Sequence, residues 1–494
     1  MKTSCLKFLI AHWAVLITAI AAGLWLWMCL CIFPLHTWND VRLEPSFLLA
    51  QGLPVYPTQT QGAVTTWIYG PLPVILLWPA TLAHNAASAL LTAGVINLFF
   101  TAGMIAIVCA AWPAALSWSE RLLAGAACTA LWPAASFQYI QADNYAVACG
   151  LLANLLLMRG NNTAPGARRS WLAALGVAGA VMCKQTAVGL VLAQCVWLAW
   201  KFGPRVAFIH ALRAGTALAA LIAGMLAWFG PVGVWFNLIN IPAHLPHTTE
   251  IVRRITDPWP LLAAHIVIPA IFLLWAGKRI WRADAPLLLP SLTWLCVLPA
   301  GIAGFMTLGG TLNSLQGLHY LLPPLALASL EKIRAANWNP QRTAGLLSLL
   351  VLAVLGTRVA LAPLRPLHPI TTQLEQADTF ARQLKGRIWF PWGPLITWYS
   401  EGHFYHAEDG MYVRFVTGAP LTYAHAHANL PPDWTVTALL GQDVDWGIAL
   451  SLQPPNALSC KAGSWILYFW PPSGTPTHEN VDLSPASQTI LPHP

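Results

Sequence analysis

The chain has 494 residues, of which 57% are hydrophobic and only 9% are charged. Soluble proteins carry about a quarter charged residues, so this composition excludes a soluble protein of two or three domains and predicts an integral membrane protein. The formal net charge is +8, with 20 basic and 8 acidic residues before position 363 and 6 basic and 10 acidic residues after it. Because the positive charge belongs to the apolar part of the chain, we expect no nucleic-acid partner.

Ten apolar stretches are predicted to form about 11 transmembrane helices. A bilayer core about 30 Å thick needs about 20 apolar residues per helix. The stretches are 8–35, 88–112, 122–139, 140–158, 171–200, 206–230, 259–277, 285–307, 314–330 and 343–362. The stretch 171–200 has basic residues at both ends. Short basic loops stay in the cytoplasm, so we expect the chain to cross and return there, with Lys184 at the outer turn.

The same rule assigns the sides of the membrane. It places 15 of the 20 basic residues before position 363 in the cytoplasm. Residues 70–83 are apolar but short, and three prolines interrupt them. A full crossing there would invert the charge pattern, so we predict a re-entrant or partly inserted helix. The N-terminus is then cytoplasmic, whereas the loop 36–69 and the C-terminal residues are extracytoplasmic.

The predicted fold is an all-α polytopic membrane protein with a small extracytoplasmic α/β domain at its C-terminus. The transmembrane catalytic domain covers 1–362 and the C-terminal domain covers 363–494. Short alternating apolar runs at 411–416 and 464–470 predict strands in the second domain. Its aromatic stretch 387–399 is predicted either to bind a sugar or an acceptor, or to anchor the domain at the lipid interface. Residues from about 472 are rich in Pro, Ser and Thr, which predicts disorder.

Carboxylates next to the outer membrane surface are the first candidates for chemistry. Asp40 lies a few residues after the first span. Apolar surroundings make a carboxylate more basic, as a general base near neutral pH requires. Glu44 follows one turn later, and for both residues the alternative is a cap on a helix that begins near Pro45. Asp143, at the outer turn between two spans, is the second candidate, and its alternative is also a helix N-cap.

Cations on the predicted outer side are candidates for binding a phosphate. Lys184 lies on the side where lysines are uncommon. Arg253 and Arg254 suit phosphate because guanidinium groups match its oxygens, although a solvated surface pair fits equally well. Three histidines could bind metal or phosphate or be structural: His244, His247 and His319. No CxxC or Cys/His cluster has metal spacing, so no cofactor is assigned, and a divalent cation remains an open alternative.

Several motifs, taken in their order along the chain, resemble the GT-C superfamily. These polytopic glycosyltransferases use polyprenyl-phosphate sugars and include protein O-mannosyltransferases and bacterial aminoarabinose transferases. The resemblance covers about residues 1 to 362. It rests on the following motifs: Asp40 after the first span, Ala50-Gln-Gly-Leu-Pro-Val-Tyr56, Tyr69-Gly-Pro-Leu-Pro73, the outer Asp143, and Lys184-Gln-Thr-Ala187.

The resemblance implies an inverting transfer in which Asp40 is the base on the acceptor hydroxyl or amine. It implies that Lys184, Arg253 and Arg254 stabilise the departing polyprenyl phosphate, which favours charge as it develops. Asp143 is the second catalytic candidate, and the possible accessory residues are Glu44, Tyr69 and His319. The sequence departs from some relatives because Val41 stands where a second acid follows the base, which leaves a divalent-metal requirement open.

The expected partners are a polyprenyl-phosphate-linked sugar donor, membrane lipids, and an acceptor that is a lipid, a glycan or a protein. The sequence shows no obvious sequon on the outer side, since Asn161-Asn-Thr163 is predicted to be cytoplasmic. This favours a bacterial inner (plasma) membrane. The alternative functions are a secondary transporter, a ligase or polymerase of lipid-linked glycans, and a non-catalytic scaffold.

Overall fold

The computed structural model is a helical bundle with a small sheet near the C-terminus. It describes residues 2–470, apart from 61, 66, 114, 160–162, 249–254, 257–261, 277–280, 283–284, 311, 316, 336–339, 362–367, 441–447 and 454–456. The predicted domain boundary at 362/363 and the predicted disordered end from about 472 lie outside these residues.

The first half of the bundle contains helices connected by short 3-10 and π segments. The helices are α1 (Lys2–Ile32), α2 (Thr37–Ala50), α3 (Leu72–Leu76), α4 (Ala86–Leu98), α5 (Met104–Ala111), α6 (Trp118–Leu131), α7 (Ala134–Gln138), α8 (Ala142–Met158), α9 (Ala167–Cys183), α10 (Gly189–Phe202) and α11 (Pro204–Phe229). A π turn, Phe99–Gly103, joins α4 to α5 without a break.

The second half of the chain completes the bundle and adds the C-terminal domain. Its helices are α12 (Pro231–Trp235), α13 (Ile241–His244), α14 (Ile268–Ala276), α15 (Leu288–Phe305), α16 (Gly317–Ala335), α17 (Pro340–Leu361), α18 (His368–Gln383), α19 (Pro394–Glu401), α20 (Glu408–Val416), α21 (Tyr423–Ala428) and α22 (Ile448–Ser451). Its strands are β1 (Ile388–Trp389), β2 (Val436–Leu440), β3 (Leu458–Ala462) and β4 (Trp465–Phe469).

Helices occur in every stretch that the sequence predicts to be a span. Within the described residues, four are long and apolar enough to cross a membrane: Trp13–Ile32, Ala86–Ala111, Pro204–Phe229 and Leu288–Phe305. Two shorter apolar helices are Ala142–Met158 and Gly345–Val359. The polytopic helical architecture is therefore as predicted, whereas the number of crossings stays a prediction.

The segment 70–83 forms two short helical pieces, α3 and the 3-10 segment Trp78–Leu82. Five helical residues rise only about 8 Å, so neither piece could cross a bilayer. The prediction that this proline-rich segment does not form a full span is consistent with this geometry. Its Gly70 packs on the backbone of Met182, where any Cβ would collide with the carbonyl oxygen.

The chain breaks at Lys184, as the basic flanks of the stretch 171–200 predict. Helix α9 ends at Cys183, a 3-10 turn covers Gln185–Val188, and α10 begins at Gly189. Gly189 packs against the backbone of Cys296 in α15, so this break lies inside the bundle.

A chain of buried polar side chains joins five helices of the bundle. His210 of α11 bonds to Ser170 of α9 at 3.1 Å and to Gln194 of α10 at 2.9 Å. Gln194 donates to Asn154 of α8, which donates to Thr293 of α15. Polar groups in an apolar interior are costly unless they are bonded, so these bonds fix how α8, α9, α10, α11 and α15 pack.

The sheet of the C-terminal domain has the strand order β1-β2-β4-β3. Strand β1 pairs with β2 in parallel, and the other two pairs are antiparallel. Residues Gly463 and Ser464 connect β3 to β4, and Gly463 has a φ of +65° that suits such a tight turn. The predicted strand at 464–470 is therefore confirmed as β4.

The predicted strand at 411–416 is wrong, because these residues belong to α20. Met411 and Arg414 are both buried, three residues apart, and this spacing belongs to one face of a helix. Glu408 and Asp409 in its first turn also favour a helix start.

The aromatic stretch 387–399 is mainly part of the domain core. Trp389, Phe390 and Trp392 are at most 3% exposed. These rings therefore face neither a sugar nor the lipid, and both predicted roles are wrong for them. Their packing instead stabilises the fold of the C-terminal domain.

The C-terminal domain packs directly on the loop 36–69. The backbone of Val64 accepts a bond from Ala407 and donates to Nδ1 of His406. A Cβ on Gly410 would collide with the backbone of Thr65. This loop and the C-terminal domain therefore form one continuous cap on the same end of the bundle.

Candidate active site

Asp40 lies on α2 at the junction between the bundle and the C-terminal domain. It is 5% exposed, and its Oδ1 accepts a hydrogen bond from the backbone N–H of Leu395 at 2.9 Å. Leu395 is in the first turn of α19, so the carboxylate lies at a helix N-terminus, where negative charge is favoured. The predicted alternative, a cap on a helix beginning near Pro45, is wrong because α2 already begins at Thr37.

Glu44 follows Asp40 by one helical turn and is completely buried. Neither of its carboxyl oxygens has a hydrogen-bond partner in the described part of the chain. Burial, reinforced by the nearby charge of Asp40, raises the pKa of Glu44 well above its ordinary value. Because neither carboxyl oxygen bonds to a backbone N–H of the described residues, and α2 already begins at Thr37, the predicted capping role of Glu44 is wrong.

Asp143 and Lys184 form a buried ion pair. Lys184 Nζ lies 2.6 Å from Asp143 Oδ1, and the side chains are 11% and 2% exposed. Asn313 donates to the second carboxylate oxygen at 3.0 Å. Asp143 lies in the first turn of α8 but makes no cap bond. Its side chain therefore holds Lys184 instead of capping the helix.

The motifs that carry the family resemblance converge around this ion pair. Lys184 Nζ lies 5.7 Å from the centre of the Tyr69 ring. Tyr56 donates to the carbonyl of Tyr69, and Gln185 donates to the carbonyl of Ile68. Segments separated by more than a hundred residues thus form one structural unit.

Helix α2 is also fastened to the residues just before Asp143. Asn39 bonds to the backbone of Gln138 and Ile140, and Arg42 donates to the carbonyl of Ile140 at 2.7 Å. The two predicted catalytic carboxylates are therefore carried by elements with a fixed mutual placement.

A cavity of about 810 Å³ lies beside Lys184. Its walls come from α11, α12 and the following π turn, and its lining includes Met182 and Gln185 on either side of the lysine. Val232 and Trp235 in the lining are 68% and 64% exposed, so the cavity opens at the flank of the bundle. We call this cavity the lateral groove. An apolar groove with this opening suits a hydrocarbon chain.

Arg414 of α20 is a cation that sequence reasoning did not select. It is 2% exposed and donates to the carbonyls of Thr58 and Gln59 at 3.1 Å each. Its guanidinium carbon lies 5.1 Å from the centre of the Phe236 ring. Both Gln59 and Phe236 line the lateral groove. Burial lowers the pKa of Arg414 to about 10, so it stays charged at neutral pH.

Asp409, at the start of α20, is a further carboxylate at this junction. It is 3% exposed, and burial raises its pKa to about 7, although the charge of Arg42 opposes this shift. Arg42 itself stacks on Trp38 at 4.7 Å. The signal available in the sequence was only an acid in an aromatic-rich domain, which did not distinguish Asp409 from its neighbours.

Two of the predicted histidines make other contacts. His319 is buried and stacks on Trp132, with ring centres 4.2 Å apart. His244 bonds to the carbonyl of Asn240, one turn earlier. Arg253 and Arg254 lie outside the described residues. Among the residues that the structure describes, no three His, Cys, Asp or Glu side chains gather in a way that would hold a metal ion.

Two crystal structures of ArnT from Cupriavidus metallidurans share this fold, one bound to undecaprenyl phosphate and one in the apo state. Their TM-scores are 0.52 and 0.51, and each is 11% identical over 92% of this chain and 97% of the other. No protein-family model and no curated protein sequence matches the chain. The chain therefore has the same fold as ArnT, in line with the predicted architecture.

Proposed function

We propose that the protein is an integral membrane glycosyltransferase. It moves a sugar from a polyprenyl-phosphate donor to an acceptor on the extracytoplasmic face of a bacterial inner membrane, with inversion at the sugar. The observation that carries this proposal is the lateral groove, an apolar channel that opens at the bundle flank and is lined by Met182 and Gln185 on either side of the buried Lys184. The likeness to a fold that holds undecaprenyl phosphate in ArnT supports the same occupant here.

In this proposal the lipid tail occupies the lateral groove and the sugar phosphate lies under the C-terminal domain. Asp40 is the base that removes the proton from the acceptor hydroxyl or amine. The deprotonated acceptor attacks the anomeric carbon, and the bond to the phosphate oxygen breaks. The leaving polyprenyl phosphate keeps the electron pair of that bond, and nearby cations stabilise its charge.

The ion pair at Lys184 has a defined part in this scheme. Asp143 neutralises the lysine in the structure and accepts one of its three N–H donors, so the pair contributes an oriented dipole and two remaining ammonium donors rather than a free charge. Tyr69 and Asn313 hold the pair from two sides. The predicted roles of Arg253, Arg254 and Glu44 in donor binding or support remain proposals of the same kind.

The test is a transfer assay on the purified full-length protein in liposomes. It uses radiolabelled polyprenyl-phosphate sugars and membrane extract as the acceptor, and compares the wild type with Asp40→Asn. Asparagine keeps an oxygen that accepts the bond from Leu395 but removes the base, so we expect at least a hundredfold loss of transfer with an unchanged unfolding temperature.

Asp40→Ala is the matched control, because it removes both the base and the bond to Leu395. A lower unfolding temperature in this variant alone would separate the docking role of Asp40 from the chemical one. Full transfer by Asp40→Asn would remove Asp40 from the mechanism. If the folded wild type consumes no donor, the glycosyltransferase proposal fails and substrate uptake is the next assay.

A further inference from the structure

We infer that Arg414, in the C-terminal domain, binds the phosphate of the lipid that occupies the lateral groove. This inference deepens the proposed function and rests on it for the nature of the lipid. It assigns part of the lipid-binding site to a domain outside the transmembrane helices.

Arg414 carries a buried positive charge. No carboxylate of the described residues lies within ion-pair distance of its guanidinium, whose hydrogen bonds go to two backbone carbonyls. Removing a cation from water costs several kcal/mol, and neutral carbonyls offset only part of that cost. A buried guanidinium without a counter-ion is therefore expected where an anionic ligand completes the site.

Arg414 lies beside the lateral groove. The guanidinium touches Gln59 through a hydrogen bond and Phe236 through a cation–π contact, and both residues line the groove. The lining of the groove also includes apolar residues such as Ile222 and Leu226. An occupant with a hydrocarbon chain and one terminal anion matches this distribution of charge.

Lys184 is the cation that the sequence assigns to the phosphate, and its surroundings differ from those of Arg414. Lys184 is already neutralised by Asp143 at 2.6 Å. A phosphate that approached it would meet the carboxylate as well as the ammonium. Among the described residues no carboxylate pairs with Arg414, and two of its five N–H donors bond to carbonyls, which leaves three for phosphate oxygens.

Contacts at both ends of α20 hold Arg414 in place. The carbonyl of Arg414 accepts a bond from Ala419, and its neighbour Val413 packs with Ala419 against Phe236. At the other end of α20, Ala407 is bonded to the loop 36–69. The guanidinium is therefore preorganised, so little ordering is needed when the lipid binds.

The experiment measures lipid binding without any sugar transfer. Full-length protein in detergent is titrated with a fluorescent polyprenyl phosphate and with the polyprenol of the same chain length. We expect the wild type to bind the phosphate form on the order of tenfold to a hundredfold more tightly, as charged hydrogen bonds allow. Arg414→Gln should lose this preference and keep its affinity for the polyprenol.

Two further variants control for folding and for general charge. Arg414→Lys keeps the charge but not the two-pronged geometry, so it should retain part of the preference. Arg387→Gln removes an exposed arginine from the same domain, and its preference should equal that of the wild type. If Arg414→Gln is too unstable to purify, Arg414→Lys with the polyprenol as internal reference gives the same comparison.

Three results would overturn the inference. Arg414→Gln with an undiminished preference for the phosphate would place the anion elsewhere. Equal losses for the phosphate and the polyprenol would show that Arg414 only shapes the groove. If inorganic phosphate competed with the fluorescent lipid for the wild type as strongly as unlabelled polyprenyl phosphate does, Arg414 would belong to a site for free anions. If the wild type preferred the phosphate form of the lipid but transferred no sugar, that result would instead count against the proposed function.

Discussion

Lys184 and Arg414 are two cations withdrawn from water beside the same groove, and they differ in what surrounds them. Lys184 lies between two helices of the bundle and has a carboxylate at 2.6 Å and a tyrosine ring at 5.7 Å. Arg414 lies in the C-terminal domain and, among the residues that the structure describes, bonds only to carbonyl oxygens. The bundle thus neutralises its charge internally, whereas the cap leaves a charge for an external partner.

The difference shows that an ionisable residue in an apolar setting does not by itself reveal a ligand. A buried pair can be fully satisfied by its own chain, in which case it fixes structure or orients a reacting group. The unsatisfied charge is the better guide to a bound anion. Substitutions test whether the ion pair and Arg414 differ in their effect on stability as much as this comparison requires.

The largest effect is expected from splitting the ion pair. Lys184→Met leaves Asp143 buried without its counter-ion, and Asp143→Asn leaves Lys184 in the same condition. Each change should destabilise the protein by about 3 to 5 kcal/mol, the usual cost of breaking a buried pair. Unfolding in detergent, followed by intrinsic fluorescence, measures this loss.

The double variant Asp143→Asn/Lys184→Met completes the cycle. Since it leaves no isolated charge, we expect it to be more stable than either single variant. A double variant with the sum of the two single losses would mean that the residues act independently. That outcome would remove the basis for treating Lys184 as already neutralised.

A smaller effect is expected from Asp409, the acid whose pKa is raised to about 7. Its ordinary value is 3.8, so the unfolded chain releases this proton first as the pH rises. The contribution of Asp409 to the free energy of unfolding is fully present below about pH 4. It falls by about 2 to 4 kcal/mol as the pH increases to 7. Neighbouring Arg42 favours the ionised form and limits the loss.

Asp409→Asn should therefore be more stable than the wild type at pH 8 and equal to it near pH 4. Unfolding temperatures across this range measure the difference. Asp433→Asn, at an exposed aspartate of the same domain, is the control and should follow the wild type. Parallel curves for Asp409→Asn and the wild type would show that the pKa of Asp409 is the same in the folded and the unfolded chain.

The smallest effect on stability is expected from Arg414→Met. This change removes two charged hydrogen bonds, but it also removes an uncompensated buried charge, and these contributions oppose each other. We expect a net loss of about 1 kcal/mol, well below the loss for Lys184→Met, in the same unfolding assay. A loss of equal size would indicate an anionic partner for Arg414 within the chain.

The sequence predicted the helices and the break at Lys184 because both depend on local patterns of apolar and basic residues. It also brought Asp143, Lys184 and Tyr69 to the same end of the bundle through the positive-inside rule. The structure places these residues in one contact network. Local composition and sidedness were sufficient for that part of the candidate site.

The contacts across the two domains could not be predicted in the same way. Asp40 and Leu395 are 355 positions apart, and so are Arg414 and the carbonyl of Gln59. No periodicity joins such positions. The strand predicted at 411–416 failed for a related reason, since the apolar run was too short to distinguish a period of two from one of 3.6.

The polar chain centred on His210 constrains how the bundle is assembled in the membrane. Its members come from five helices that are synthesised one after another. Until Thr293 of α15 arrives, the earlier amides have an incomplete set of partners in hydrocarbon. Biogenesis should therefore be cooperative, with a late commitment step, and a truncated chain that ends before α15 should be retained by membrane chaperones or degraded.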